Sequence, residues 1–68
     1  MTEPTWAVQP ASFGRFDQHG CDWAINLTHA YKIAAMHGVE CIIFRCPPTG
    51  DPIAWVRTDP TAETITAI

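Results

Sequence analysis

Long apolar runs are missing from these 68 residues, and so is any cluster of positive charge. Stretches such as Cys41-Ile42-Ile43-Phe44 fall far short of the ~20 residues with which a helix crosses a bilayer, so no membrane span is expected. The N-terminus, Met1-Thr2-Glu3-Pro4, lacks the basic and apolar regions of a secretory signal, which leads to the expectation of a cytoplasmic protein. Lys and Arg together number 4 (Arg15, Lys32, Arg45 and Arg57), spread along a chain of net charge −3. Tight nucleic-acid binding relies on clustered cations that displace phosphate counterions, so no direct, specific nucleic-acid contact is expected. Glycine is scarce as well. Gly14, Gly20, Gly38 and Gly50 stand alone, which leaves no glycine-rich loop to cradle an anion.

The cysteines, Cys21, Cys41 and Cys46, are odd in number and fit a reducing compartment better than a disulfide framework. Structural zinc needs four converging N or S ligands. Cys41 and Cys46 are an odd number of residues apart on one expected strand, so their side chains point to opposite faces and cannot share an ion without a bulge. No metal or other cofactor is implied. Cys21 near His19, and Cys41 near His37, could form a thiol–imidazole couple, but each lacks an orienting third group and an oxyanion hole. The acids Asp17, Asp22, Asp51 and Asp59 read as turn residues that bond to their own backbone. The chain is not expected to be an enzyme.

What is present suits folding. Apolar residues make up 47% of the chain and include 3 Trp, enough for one small domain over residues 1–68 rather than a disordered tail. A core of this size supplies only about 3–5 kcal/mol of net stability, leaving little for a deep pocket. Thr5–Gln9 alternates apolar with smaller or polar residues and stops at Pro10, which reads as an edge strand. Residues 10–21 read as a loop with a short extended piece around Arg15, and Asp22–Ile25 as a second strand.

Asn26 then offers a side-chain acceptor to the first turn of a helix, Leu27–His37, that Gly38 ends. Leu27, Ala30, Ile33, Ala34 and His37 form its inner stripe. Val39–Cys46 and Ile53–Thr58 read as a hairpin around the turn Pro47–Pro52, with Trp55 sharing a face with Ile53 and Arg57. Asp59-Pro60 ends it, and Thr64–Ile68 adds a last edge strand. The expected fold is α+β: a small antiparallel sheet of four to five strands with one helix packed on one face, in the order β-β-α-β-β-β.

At 100° per residue, Thr28, Lys32, Ala35 and Met36 point away from the inner stripe, and Tyr31 lies on its shoulder. An exposed Met beside Ala, flanked by Tyr and Lys, is an adaptable contact surface. A sheet this small cannot hide three indoles either, so at least one of Trp6, Trp23 and Trp55 is expected to show an edge to solvent.

The helix segment Leu27-Thr28-His29-Ala30-Tyr31-Lys32-Ile33-Ala34 resembles the Leu-x-x-Ala-x-basic-Ile-Ala helix of a small phage-encoded anti-CRISPR family, inhibitors of type I-F systems. Chain length and element order resemble that family's too, as do the strand ending at Arg45, the turn with Gly50 and the strand with Trp55. The resemblance implies a non-enzymatic inhibitor that binds backbone subunits of a type I surveillance complex and blocks pairing of target DNA with the guide RNA. It places Lys32 at the family's basic contact position, and Tyr31 and Met36 where the family carries lysines. With the outer-face residues Thr28 and Ala35 that periodicity adds, the expected partner-binding set is Tyr31, Lys32, Met36, Thr28 and Ala35, on a protein that is a monomer or weak homodimer. A different reading, an accessory module that self-associates through an edge strand such as Thr5–Gln9 or Thr64–Ile68, follows from the residues alone.

Overall fold

Asn26 and Gly38 bound the helix, the first by its side-chain acceptor and the second because it carries no side chain. In the computed structural model, which describes residues 4–68, helix α1 spans Leu27–His37. Asn26 is extended, and its Oδ1 accepts the His29 N–H at 2.7 Å, satisfying one donor that a first turn leaves free. Gly38 takes φ 69°, a left-handed conformation that a side chain disfavours.

The strands are β1 (Thr5–Pro10), β2 (Asp22–Ala24), β3 (Cys41–Cys46), β4 (Ile53–Asp59) and β5 (Thr64–Ala67). They form one antiparallel sheet in the order β2-β1-β3-β4-β5, with α1 on one face, so the fold is α+β in the expected element order. One expectation is corrected: Thr5–Gln9 is no edge. β1 lies between β2 and β3, and Pro10 is tolerated because β2 pairs only with Trp6–Val8 and has ended before it. Ile25 lies outside β2 and is largely exposed. The piece near Arg15 is preceded by a 3-10 turn, Ala11–Phe13, and is not a strand.

The helix packs on β1, β2 and β3. Ala30 and Ala34 are its buried residues, and their small side chains let the helix backbone approach Val8, Ala24, Cys41, Ile43 and Val56. Leu27, Tyr31 and Ile33 flank this core half-buried. Burying a side chain such as Ile43 contributes roughly 2 kcal/mol.

The opposite face is covered by the loop after β1. Phe16 meets Trp23 and Phe44 edge-on, at centroid distances of 6.2 and 5.2 Å. Gln9, buried in β1, holds that loop down: its Nε2 donates to the Arg15 carbonyl at 2.6 Å, and its Oε1 accepts the Asp17 N–H at 2.8 Å. In the alternating pattern Gln9 reads as the polar, outward member of an edge strand; the loop turns it into a buried clamp.

A bulge between β3 and β4 corrects a second expectation. Ile43 pairs with Val56 and Phe44 with Ala54, leaving Trp55 without a partner on β3. Beyond the bulge the alternation shifts, so Trp55 does not share a face with Arg57, which pairs with Ile42. Trp55 turns to the helix side of the sheet, where it meets Trp6 edge-on at 5.8 Å and the Arg45 guanidinium at 5.7 Å.

Two substitutions test this packing. Gln9→Leu strands the Arg15 carbonyl and Asp17 N–H and should cost about 2 kcal/mol in urea unfolding, with loss of near-ultraviolet Trp23 signal as the loop lifts. Thr58 is buried, and its Oγ1 has no hydrogen-bond partner. Thr58→Val should therefore be neutral or stabilising by up to about 1 kcal/mol; a loss of stability would mean that the hydroxyl is satisfied in solution.

Candidate interaction surface

The outer face of α1 is unused by the fold. Thr28, Lys32, Ala35 and Met36 are exposed, Met36 at 86%, while Tyr31 is half-buried against the core, on the shoulder where helical periodicity put it. Each flank of the helix borders a groove. On one side Tyr31 and Ala35 face Thr58, Glu63 and Ile65 toward β5, which is exposed along its length. On the other, Met36 and Ile33 border the edge strand β2 at Asp22 and Trp23, and His37 Nε2 lies 2.6 Å from Asp22 Oδ2. That contact ties the end of the helix to the start of β2. Both groups are partly solvated, so the pair contributes at most about 1 kcal/mol.

The grooves are apolar with acidic margins. Ile53, Trp55 and Ile65 are exposed on the sheet, as are Trp23 and Ile25 beside β2. Trp23 and Trp55 are thus the more exposed indoles, at 49% and 41%, whereas Trp6 is half-buried against the core. Large exposed apolar residues rimmed by charge mark contact surfaces. Sequence periodicity brings the helix residues together but gives no sign of Trp55, because the bulge that re-aims it depends on pairing with β3. Trp23 carries a weak signal in its alternation with Asp22 and Ala24 across a strand.

Among the described residues no thiol is hydrogen-bonded to an imidazole. Cys21 Sγ donates to the Gln18 carbonyl and Cys41 Sγ to the Val39 carbonyl, while His29 Nδ1 accepts the Ile25 N–H and His37 bonds Asp22. Among the described residues no three His, Cys, Asp or Glu side chains are grouped to hold a metal ion. Cys41 and Cys46 lie on opposite faces of β3, Cys41 in the core under the helix. No helix among the described residues is long and apolar enough to cross a membrane.

Compared with protein-family models, with curated proteins and with solved structures, the chain gives no match.

Burial pushes all three thiols above their ordinary value of 9.0; nearby Asp17 and Asp22 add to this at Cys21, Asp22 at Cys41 and the Cys21 thiol at Cys46, with a backbone hydrogen bond opposing at Cys21. The folded chain therefore holds these protons more tightly than the unfolded chain. That contribution is whole below about pH 9 and is lost as pH rises through the folded values. Urea midpoints should fall as pH rises above about 9, and fall less in Cys41→Val. At neutral pH alkylation should be slow at every site, with Cys41 last to react.

Proposed function

We propose that this chain is a non-enzymatic inhibitor that acts by occupying a protein surface: an anti-CRISPR protein that seats the outer face of α1 on a backbone subunit of a type I surveillance complex and so blocks target-DNA pairing. The observation that carries the reading is the helix itself. Its segment Leu27–Ala34 resembles the inhibitor family's, and of the positions which that likeness assigns to contact Lys32 and Met36 are exposed and Tyr31 is half-buried, beside Thr28 and Ala35 on the same exposed face. The expected element order, which the resemblance shares, is also the order of this fold.

The chemistry of the face favours a protein partner over a nucleic acid. Lys32 stands alone as a cation on α1 in a chain of net charge −3, while Met36, Ala35 and the Tyr31 ring offer adaptable apolar contact. Where the family carries lysines this chain has Tyr31 and Met36, so its contact would depend more on desolvation and less on salt. The site of action would be the cytoplasm of a CRISPR-bearing bacterium.

The test is size-exclusion comigration of the purified protein with a type I-F effector complex, followed by a target-DNA hybridisation assay. Comigration and loss of hybridisation are expected. Lys32→Glu and Met36→Glu should each weaken binding by about tenfold or more without changing the circular dichroism spectrum. A chain that elutes separately from the complex at micromolar concentration, leaving hybridisation intact, overturns the proposal.

A further inference from the structure

β5 is one edge of the sheet, and nothing within it guards that edge. Edge strands are ordinarily protected by charge, proline, a bulge or a covering segment. Thr64-Ile65-Thr66-Ala67 has no charged residue and no proline, keeps unbroken register with β4 and is exposed along its length. The other edge, β2, is a three-residue strand whose Asp22 is held by His37.

The backbone directions in β5 follow from one bond. Ile68 N–H donates to the Trp55 carbonyl at 3.1 Å. Donor and acceptor groups alternate in direction along a strand, so Thr66 and Thr64 also turn toward β4, while Ile65 and Ala67 present their N–H and C=O groups to the open edge. We propose that those four groups are taken by the same groups of a second copy of this chain, β5 pairing antiparallel with β5 about a two-fold axis through Thr66.

Three features make the edge complementary to itself. In this register Ile65 of each copy bonds Ala67 of the other, so all four outward groups are satisfied at once. Ile65 and Ala67 share the helix side of the sheet, opposite Thr58 and Val56, so the larger side chain of each copy lies beside the smaller one of the other. Finally, the acidic residues near β5, Asp59 and Glu63, lie at its N-terminal end. Antiparallel pairing keeps the two Glu63 positions six residues apart along the strands, about 20 Å, well beyond the ~8 Å screening length at physiological salt. Parallel pairing would bring them together. The axis stands perpendicular to the sheet, so both copies of α1 lie on the same side of one doubled sheet with their outer faces free. Four backbone bonds and a short strand bury far less than the ~1,600 Å² of a durable complex, so the dimer exchanges and forms at high concentration.

Sedimentation equilibrium from about 20 µM to 1 mM should show the mass rising from one chain toward two. Ile65→Pro removes an N–H that serves only the open edge, and Thr66→Lys sets two ammonium groups on the axis. Each should weaken association at least tenfold with the circular dichroism spectrum unchanged; if the proline variant unfolds, the lysine variant decides. Mild oxidation should cross-link Thr66→Cys, which faces itself, above the background of the natural chain, and should not so cross-link Thr64→Cys, which faces Ile68. A constant monomer mass to 1 mM, a dimer insensitive to Thr66→Lys, or equal cross-linking at positions 64 and 66 would overturn the proposal.

Discussion

One helix can cover only part of a five-stranded sheet, and most features of this molecule follow from that width. A helix with its side chains is about 10 Å across, whereas five strands about 4.8 Å apart span about 19 Å. α1 sits over β1, β2 and β3, where Ala30 and Ala34 bring its backbone close to Val8 and Ile43. On the same side, β5 and the Ile53–Trp55 start of β4 are therefore left open, while Val56 and Thr58 are buried. Trp55, Ile53 and Ile65 are exposed there, and the groove beside Tyr31 exists for the same reason.

On the other side of the sheet a loop does the covering. Phe16 packs on Trp23 and Phe44, but aromatic contact alone would leave the loop's polar backbone facing a sheet. Gln9 resolves this by bonding both a carbonyl and an N–H of that loop from within β1. A buried amide is costly when unpaired, so the same residue that stabilises the loop in place would penalise any structure in which the loop is elsewhere. The far face thus gains specificity, and the helix side keeps the openness that contact with another molecule requires.

The two proposals use different parts of this architecture. The outer face of α1 is where an inhibitor would meet its target, and the edge of β5 is where a second copy would join. Because the joining axis is perpendicular to the sheet, pairing at β5 would leave both helix faces on one side. Apolar contact would dominate at the helix face and backbone hydrogen bonds at the β5 edge, as suits a chain with few cations.

Local chemistry was legible along the chain. The bounds of α1 follow from Asn26 and Gly38, its inner and outer stripes from 3.6-residue periodicity except at His37, which is exposed, and the strands from runs of β-branched and aromatic residues closed by proline and aspartate turns. The outward residues of the helix were legible for the same reason: a helix carries its own hydrogen bonds, so its faces are set by spacing alone. Strand order was not. Thr5–Pro10 looks like an edge because proline cannot donate, and only the short reach of β2 makes an interior position possible. The turning of Trp55, the burial of Gln9 and the bareness of β5 were likewise decided by tertiary structure, since a strand's hydrogen bonds lie in its neighbours, and which neighbours it has is a long-range choice.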